Sequence, residues 1–425
     1  MLTYIDRRAI NKLKRVRKYK LNREKIPKKS RRCLLVCDAF VEKGSGAAAA
    51  RVASRCLASL GFEILVYGGL GRYSSIADND TSFNFVKQPD FRVIQHLFPG
   101  RILNEFNALF LAFDPTLVFV LGSAYSKPIG ILETISRSTA RTIYMPWNQD
   151  FYCAKSYGFQ DSQPCEKCLS GDYSQALREN CVGRAAALSG AINRTRLKKR
   201  LQQFDRVLCS SITQRNALSR YLNRPIDDIT IFPLFFDSSI SDGLVSEDGD
   251  YFIYYSQAIE AKGWNLIVGI LEKCPTIRFL LCPAGSREDI LRRTPKLQSL
   301  LDGRRVSFVS GCSWDTGLGT LVAKSRAVLI PSVWPTTTEY VLLEALSLGK
   351  PVVAFDIGVH HDVLSNRKNA MLVQRGDIDA YSDAIIEIDQ ISELRANISD
   401  GAKVAFTSLV DIELSMNILA EVCGA

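Results

Sequence analysis

One stretch of the sequence combines groups that can bind phosphate and hydroxyl ligands. It runs from Ile330 to Ala354 and reads IPSVWPTTTEYVLLEALSLGKPVVA. The pattern predicts a buried strand, a turn, and a helix that begins near Thr336 and ends at Gly349. The unpaired amides of such a helix N-terminus form an anion site suited to a diphosphate. Glu344 lies about two turns further on, where a carboxylate can accept two hydrogen bonds from a diol such as ribose.

Strand-like runs alternate with helical ones around this stretch and along most of the chain. The strands predicted in the first half are Cys33–Cys37, Glu63–Tyr67, Leu117–Leu121, Thr142–Met145, Arg206–Cys209 and Ile229–Phe232. Those predicted in the second half are Tyr251–Tyr255, Arg278–Leu281, Val306–Val309, Ala327–Ile330 and Pro351–Phe355. This alternation implies right-handed βαβ units and parallel sheets that helices cover on both faces.

The predicted fold class is therefore α/β, with two doubly wound, Rossmann-like domains that face a cleft. A basic tail (1–32) precedes an N-terminal domain (33–238), which carries a cysteine-containing insertion near residues 151–182. A polar, acidic linker leads into a C-terminal domain (239–408), and a final helix (409–425) could return to the N-terminal domain. Ligands of such folds bind at the carboxyl ends of the strands.

The motifs of the second domain resemble those of glycosyltransferase family 4, the retaining sugar-nucleotide transferases of the GT-B fold. The residues that match the family are Pro331, Ser332, Glu344, Ala345, Gly349 and Pro351, with Lys262 and Gly263 upstream. The resemblance implies a nucleotide-diphosphate sugar as donor. It implies that Glu344 holds the ribose and that the segment around Lys262 binds the diphosphate.

The sequence departs from the family pattern at two positions. Thr336 stands where the family has the first Glu of its pair, and Gln257 stands where it has an Arg. A threonine hydroxyl can hydrogen-bond a sugar, but it cannot stabilise a developing positive charge. Glu339 is a candidate substitute for the missing catalytic carboxylate. On the other interpretation, Thr336-x-x-Glu339 is a capping box that opens the helix.

The resemblance adds further residues to the donor site. Thr337 and Thr338 would offer amides to the phosphates. Gly358 and His360 lie in a loop that resembles the glycine-rich donor loop of the family. The leaving-group charge would be met by Lys262 and the helix N-terminus, so the chemistry is expected to need no metal or other cofactor.

The N-terminal domain is expected to bind the acceptor. Gly44, Ser45 and Gly46 resemble the glycine-rich loop that follows the first strand in the family, although a flexible turn is an equal interpretation. Asp150 stands where many relatives carry the Asp of a His-Asp pair, with Gln149 in place of the His. Asp150 is therefore a candidate catalytic residue on the acceptor side.

Four of the twelve cysteines lie close together in the insertion. Cys153, Cys165, Cys168 and Cys181 form the spacing C-x11-C-x2-C-x12-C. Four thiolates that include a C-x-x-C pair suit tetrahedral zinc, which would order an insertion without an apolar core. The alternatives are four unrelated thiols, or a redox pair formed by Cys165 and Cys168.

The basic excess of the chain is confined to its first residues. Residues 1–32 contain 14 of the 54 Lys and Arg residues and 2 of the 44 acidic residues, so the remainder is close to neutral. Apolar side chains are interleaved with these basic ones at near-helical spacing, as in a helix that lies on an anionic membrane. A disordered leader is the alternative, and no specific nucleic-acid module follows.

Together these features predict an enzyme that transfers a sugar, with retention, to a glycan or lipid-linked acceptor in surface polysaccharide or glycoconjugate synthesis. We expect a cytoplasmic protein, peripheral on the inner face of the membrane. Two alternatives remain at this stage because the first Glu is missing and because a fold hosts many reactions. They are a non-catalytic glycosyltransferase-like subunit and another sugar-nucleotide enzyme with the same fold.

Overall fold

The computed structural model describes residues 31–40, 44–69, 84–87, 100–124, 127–232, 235–301, 304–337 and 339–424. All but the last two residues of the predicted basic tail therefore lie outside the described residues, and so does Thr338. Within these ranges, no helix combines the length and the apolar character needed to cross a bilayer.

Strands and helices alternate through the described residues. The strands are β1 (Arg32–Cys37), β2 (Glu63–Gly68), β3 (Asn84–Lys87), β4 (Leu117–Leu121), β5 (Arg141–Met145), β6 (Phe159–Gln160), β7 (Gln163–Pro164), β8 (Arg206–Cys209), β9 (Ile229–Ile231), β10 (Tyr251–Tyr254), β11 (Arg278–Leu281), β12 (Val306–Phe308), β13 (Ala327–Ile330), β14 (Val352–Phe355) and β15 (Met371–Val373). The α-helices are α1 (Ser45–Ser59), α2 (Gly100–Phe113), α3 (Ile129–Ser136), α4 (Gln175–Arg178), α5 (Arg184–Leu201), α6 (Ile212–Leu222), α7 (Ile267–Lys273), α8 (Arg287–Arg293), α9 (Pro295–Gln298), α10 (Leu318–Ala323), α11 (Tyr340–Ser347), α12 (Val359–Val363), α13 (Ile378–Gln390), α14 (Ser392–Leu409) and α15 (Ile412–Cys423).

The first unit is built on a parallel sheet. Among the described residues its strand order is β3-β2-β1-β4-β5-β8-β9. The central strands β1 and β4 are almost entirely buried, which explains why their sequences RCLLVC and LVFVL show no polar alternation. The direction of the strand order reverses between β1 and β4, and the carboxyl ends of those strands are where doubly wound folds bind ligands.

The second unit repeats this arrangement. Among the described residues its parallel sheet has the order β12-β11-β10-β13-β14-β15, with the reversal between β10 and β13. An apolar cluster that includes Phe252, Phe279 and Tyr381 packs on one face, and a second cluster that includes Ile253, Leu342 and Ala402 packs on the other. The predicted α/β class with two Rossmann-like domains is confirmed.

The chain passes between the two units more than once. The first unit contains residues up to Ser156, then Glu166–Phe236, and finally the segment from Ile412. The second contains Tyr157–Cys165 and Asp237–Asp411. The domain boundaries predicted from the sequence placed residues 157–165 in the first domain, whereas the structure places them in the second unit. Residues 157–165 form the antiparallel hairpin of β6 and β7, and Phe159 is part of the second unit's apolar cluster.

Most strand boundaries agree with the sequence. The strands predicted from apolar runs are each found within one residue at either end. The described strands that the sequence did not predict are β3, β6, β7 and β15, which have two to four residues each. Such short strands have too few residues for a periodic pattern to identify them.

Candidate functional site

The loop after β13 carries the residues of the predicted diphosphate site. The helix predicted to begin near Thr336 instead begins at Tyr340, with Glu339 as its N-cap residue. The amide of Thr336 donates to the carbonyl of Trp334 (2.7 Å), and the carbonyl of Thr336 accepts from the amide of Val359 (2.8 Å). These bonds hold Thr336 in a loop, so it is not the N-cap, and the predicted helix N-terminus lies one turn later.

The capping-box interpretation of Glu339 is wrong. The side chain of Glu339 makes no capping hydrogen bond. It is instead buried, with 3% of its surface exposed. Its Oε1 accepts from Lys262 Nζ (2.7 Å) and from Ser332 Oγ (2.8 Å), and its Oε2 lies 3.0 Å from His360 Nε2. Glu339 thus joins its own loop, which includes Ser332, to two segments that are distant in sequence.

The charge of Glu339 is stabilised by these neighbours. Burial alone would raise the pKa of Glu339, but the charge of Lys262 and the interaction with His360 hold it well below its ordinary value. The Lys262 and Glu339 side chains are 13% and 1% exposed, so they form a largely buried ion pair. Loss of either partner would leave the other as an uncompensated charge.

His360 lies between two hydrogen-bond acceptors. Its Nδ1 is 3.0 Å from the carbonyl oxygen of Phe355, and its Nε2 is 3.0 Å from Glu339 Oε2. Both partners are hydrogen-bond acceptors, so the imidazole ring can donate to either of them, and the tautomer decides which nitrogen does so.

Two glycines allow the backbone to form this site. Gly263 has φ +73°, and a Cβ there would lie 1.8 Å from the carbonyl oxygen of Pro331. Gly358 has φ +57°, and a Cβ there would lie 2.4 Å from the carbonyl oxygen of Thr336. Both positions combine a left-handed backbone with a close approach of another segment, which only glycine accommodates.

The remaining predicted donor residues have different surroundings. Thr337 is completely buried, whereas Gln257 is exposed just after β10. Glu344 is in α11 with 8% of its surface exposed. Burial raises the pKa of Glu344 to about 7, and interactions with Trp314 and Tyr255 limit the rise. Burial and then both carboxylates, Glu344 and Glu339, raise the pKa of Tyr255, so this phenol lies near both.

The first unit has its own polar cluster at the carboxyl ends of β1, β4 and β5. Lys127 Nζ donates to Asp38 Oδ1 (2.6 Å) and to the carbonyl of Ser123 (2.8 Å). The amide of Ser123 donates to Asp38 Oδ2 (2.6 Å), and its hydroxyl donates to Asp150 Oδ2. Sequence reasoning found Asp150 but missed Asp38, Ser123 and Lys127. A signal was available, because Asp38 and Ser123 each follow a buried strand at the binding edge of a parallel sheet.

Asp150 is a buried carboxylate of this cluster. Burial raises the pKa of Asp150 to about 6, although the hydrogen bond from Ser123 lowers it. Its second oxygen, Oδ1, has no hydrogen-bond partner among the described residues. A buried acceptor of this kind can take a hydrogen bond from a hydroxyl ligand or a water molecule.

The predicted glycine loop lies at the same edge of the first sheet. Gly44 is the N-cap of α1, with φ +118°, and no side chain caps this helix. A Cβ on Gly46 would lie 3.8 Å from Nε1 of Trp147, a residue that follows β5. The first turn of α1, which contains Ser45, therefore approaches the loop that leads to Asp150.

Three of the four cysteines of the insertion lie in or against one apolar cluster of the first unit. Cys153 and Cys168 are buried in the apolar cluster of the first unit, and Cys181 packs against that cluster. Cys165 belongs to the segment 157–165 of the second unit. Over the described ranges, no group of three or more His, Cys, Asp or Glu side chains is arranged to hold a metal ion. Zinc binding therefore stays a prediction from the sequence spacing.

Comparisons with known proteins identify the class of this chain. Residues 236–405 match the family described as Glycosyl transferases group 1. No curated protein matches the sequence. The chain is a glycosyltransferase, and the resemblance to family 4 is confirmed.

Solved structures extend the comparison to the whole fold. A sucrose-phosphate synthase from Thermosynechococcus elongatus is 14% identical, with a TM-score of 0.69 over 92% of this chain and 98% of that one. A glycosyltransferase from Rickettsia africae is 13% identical, with a TM-score of 0.67 over 93% and 98%. HepE from Anabaena, in complex with UDP-glucose, is 14% identical, with a TM-score of 0.64 over 92% and 99%. These likenesses establish the GT-B fold.

Proposed function

We propose that this glycosyltransferase moves a sugar from a nucleotide-diphosphate sugar to a hydroxyl group of a glycan or lipid-linked acceptor, with retention at the anomeric carbon. The observation that carries the donor part is the network of Lys262, Glu339 and His360 at the carboxyl edge of the second sheet. Nucleotides bind at this edge in doubly wound folds. The UDP-glucose bound to HepE of Anabaena supports the same class of donor.

Lys262 is the proposed phosphate ligand. Its ammonium group has three donors, and Glu339 accepts one of them. In this proposal the others bind the donor diphosphate, and the Lys262 side chain is 13% exposed. As the bond to the sugar breaks, negative charge grows on the leaving diphosphate, and a fixed cation stabilises it. In this scheme Glu339 holds Lys262 in place, and it does not itself contact the sugar.

Glu344 is the proposed ribose ligand. Its pKa of about 7 means that the empty site holds a mixture of protonated and ionised carboxyl groups near neutral pH. A diol donates two hydrogen bonds, which favour the ionised form. Nucleotide binding should therefore release protons from Glu344 at pH values at and below about 7.

The first unit is the proposed acceptor domain. Asp150 Oδ1 is a buried acceptor without a hydrogen-bond partner in the described part of the chain. The acceptor hydroxyl would donate to this oxygen, and the first turn of α1 at Gly44–Gly46 would lie beside the acceptor. The proposed setting is surface polysaccharide synthesis on the inner face of a membrane, to which the basic tail of residues 1–32 would bind.

Release of nucleoside diphosphate from a panel of sugar nucleotides, with and without acceptor sugars, tests the proposed function. The native protein should release nucleoside diphosphate from at least one donor, and Lys262→Ala should reduce the rate at least tenfold. Lys296→Ala is the matched control, since Lys296 is an exposed lysine of the same unit. Equal rates for Lys262→Ala and Lys296→Ala would show that Lys262 does not bind the donor diphosphate.

A further inference from the structure

The hairpin of residues 157–165 is attached to the second unit close to Lys262. Its strands β6 and β7 pair through Phe159–Pro164 and Gln160–Gln163. Phe159 is 7% exposed and belongs to the apolar cluster of the second unit. In sequence, however, the hairpin comes between segments of the first unit. A short hairpin is not stable alone, so its contacts with the second unit hold it in place.

One set of contacts reaches the turn that carries Lys262. Ser162 Oγ donates to Glu260 Oε1 at 2.6 Å. Glu260 is the first residue of the 3-10 turn that ends at Lys262. On the other side of the hairpin, Arg375 donates to the carbonyl of Ser162 (2.7 Å) and to Gln163 Oε1. The hairpin is thereby tied to both the lysine-bearing turn and the segment after β15.

A second contact reaches the ammonium group of Lys262 through an aromatic ring. The rings of Tyr157 and Trp334 meet edge to face, with centroids 5.0 Å apart and an angle of 87°. Trp334 is 3% exposed, and Lys262 Nζ lies 5.2 Å from the centroid of its indole ring. Such a distance is within the range in which an aromatic face attracts a cation. The orientation of the Trp334 ring determines where its face lies relative to Lys262. Because Tyr157 packs against that ring, it can fix this orientation.

We infer that the hairpin is a positioning element for donor binding, and that Tyr157 acts through Trp334 to hold the Lys262 ammonium group ready for the diphosphate. This inference rests on the proposed function, because it takes Lys262 as the phosphate ligand. Glu339 binds the ammonium group directly, and the indole ring offers it a second attractive surface. A side chain that is already held in its binding position loses less conformational entropy when the ligand arrives.

Calorimetric titration of the full chain with UDP, GDP and ADP provides the test. For the diphosphate that binds most tightly, Tyr157→Ala should raise Kd by about threefold to tenfold, which corresponds to the strength of an aromatic contact with a cation. Tyr157→Phe keeps the ring and should change Kd less than twofold. Phe308→Ala, which removes a partly buried ring from β12 of the same unit, should also leave Kd nearly unchanged. Tyr157→Leu replaces Tyr157→Ala if the alanine variant does not fold.

The double variant shows whether the effect passes through Lys262. If Tyr157 acts through the lysine, Tyr157→Ala should have no further effect on Kd once Lys262→Ala is present. A Tyr157→Ala loss that persists in that background would assign Tyr157 a general structural role and overturn the inference. If Kd is unchanged in Tyr157→Ala but raised in Lys262→Ala, the inference about Tyr157 is overturned and the proposed donor site stands. An unchanged Kd in Lys262→Ala, or no binding of any of the three diphosphates, would overturn the proposed donor site itself.

Discussion

Three side chains form the centre of the candidate donor site: Lys262, Glu339 and His360. Their contacts are short and mutually dependent, because Glu339 accepts from Lys262 through one oxygen and lies against His360 through the other. Thr336, three residues before Glu339 in the same loop, is fully buried and bears no charge. The carboxylate of this loop is therefore Glu339, and it is used to hold a cation.

Glu339→Gln should destabilise the protein by about 3 kcal/mol, because the ion pair loses its anion while Lys262 stays largely buried. Glu339 has a depressed pKa in the folded state, so its contribution is present above the ordinary glutamate pKa and is lost as the pH falls through the lowered value. Urea unfolding at neutral pH measures the difference. The exposed Glu288→Gln is the control and should change the unfolding free energy by less than about 0.5 kcal/mol. Equal stability of the two variants would contradict the buried ion pair.

Glu344 should contribute a pH dependence of stability that is opposite to that of Glu339, and Glu344→Gln should remove it. The folded-state pKa of Glu344 is about 7, above its unfolded value. Below the unfolded-state pKa the carboxyl group is protonated in both states, and its burial carries no penalty for a charge. As the pH rises towards 7, the unfolded state ionises first, and the folded state loses stability. The variant should lack this part of the pH dependence when urea unfolding is measured between about pH 4.5 and 8. The same variant should also bind nucleoside diphosphate less tightly.

At the scale of elements, the segments that follow the strands of the second sheet pack closely against one another through their backbones. Gly263 brings the Lys262 turn against Pro331 at the end of β13, and Gly358 brings α12 against Thr336. The amide of Val333 also donates to the carbonyl of Ala261 (3.0 Å). These contacts leave little room for side chains, so the position of Lys262 depends on glycine as much as on its ion pair.

Gly263→Ala tests this dependence against a glycine of nearly the same backbone angle. Gly263 and Gly311 have φ +73° and +76°, but a Cβ on Gly311 would meet no atom within 4 Å. Gly311→Ala should therefore show only the cost of a left-handed backbone, about 1–2 kcal/mol. Gly263→Ala should cost at least about 2 kcal/mol more, since it adds overlap with Pro331. Thermal unfolding of the two variants measures this difference. Equal losses of stability in Gly263→Ala and Gly311→Ala would exclude the close approach of Gly263 to Pro331.

At the scale of the whole molecule, two units whose parallel sheets share one order over six strands are joined by a chain that passes between them. The last helix, α15, packs in the first unit, where the carbonyl of Glu421 lies 3.5 Å from Arg141 Nη2. Each unit presents polar residues at the carboxyl edge of its sheet. This repetition agrees with a division of labour between donor and acceptor binding, which is part of the proposed function.

Deletion of residues 1–30 should abolish binding to vesicles that contain anionic phosphatidylserine, without affecting binding of nucleoside diphosphate. Basic side chains near an anionic surface contribute about 1 kcal/mol each, and this segment contains nearly all the basic excess of the chain. Sedimentation with vesicles at low and high salt measures the effect, which should weaken as salt increases. Neutral phosphatidylcholine vesicles are the control. Equal sedimentation of the full and shortened chains would exclude the tail as a membrane anchor.

The sequence by itself determined the fold class, most strands and the donor motif. Buried parallel strands leave continuous apolar runs such as Cys33–Cys37 and Ala327–Ile330, and these can be recognised locally. The helix start at Thr336 was mispredicted for an equally local reason. A Thr-x-x-Glu spacing has the form of a capping box, and the competing bond between Thr336 and Val359 joins residues 23 positions apart.

Only the tertiary structure decided what the charged residues do. Lys262, Glu339 and His360 come from three separate segments. The resemblance made each of them a candidate site residue, but only the structure shows that Glu339 contacts both Lys262 and His360. Likewise, only the structure shows that Lys127 contacts Asp38 in the first unit and that the hairpin places Tyr157 on Trp334. Local patterns record which residues are buried in one element. Ion pairs and ring contacts depend on the order of strands in a sheet, which brings the ends of distant elements to the same edge.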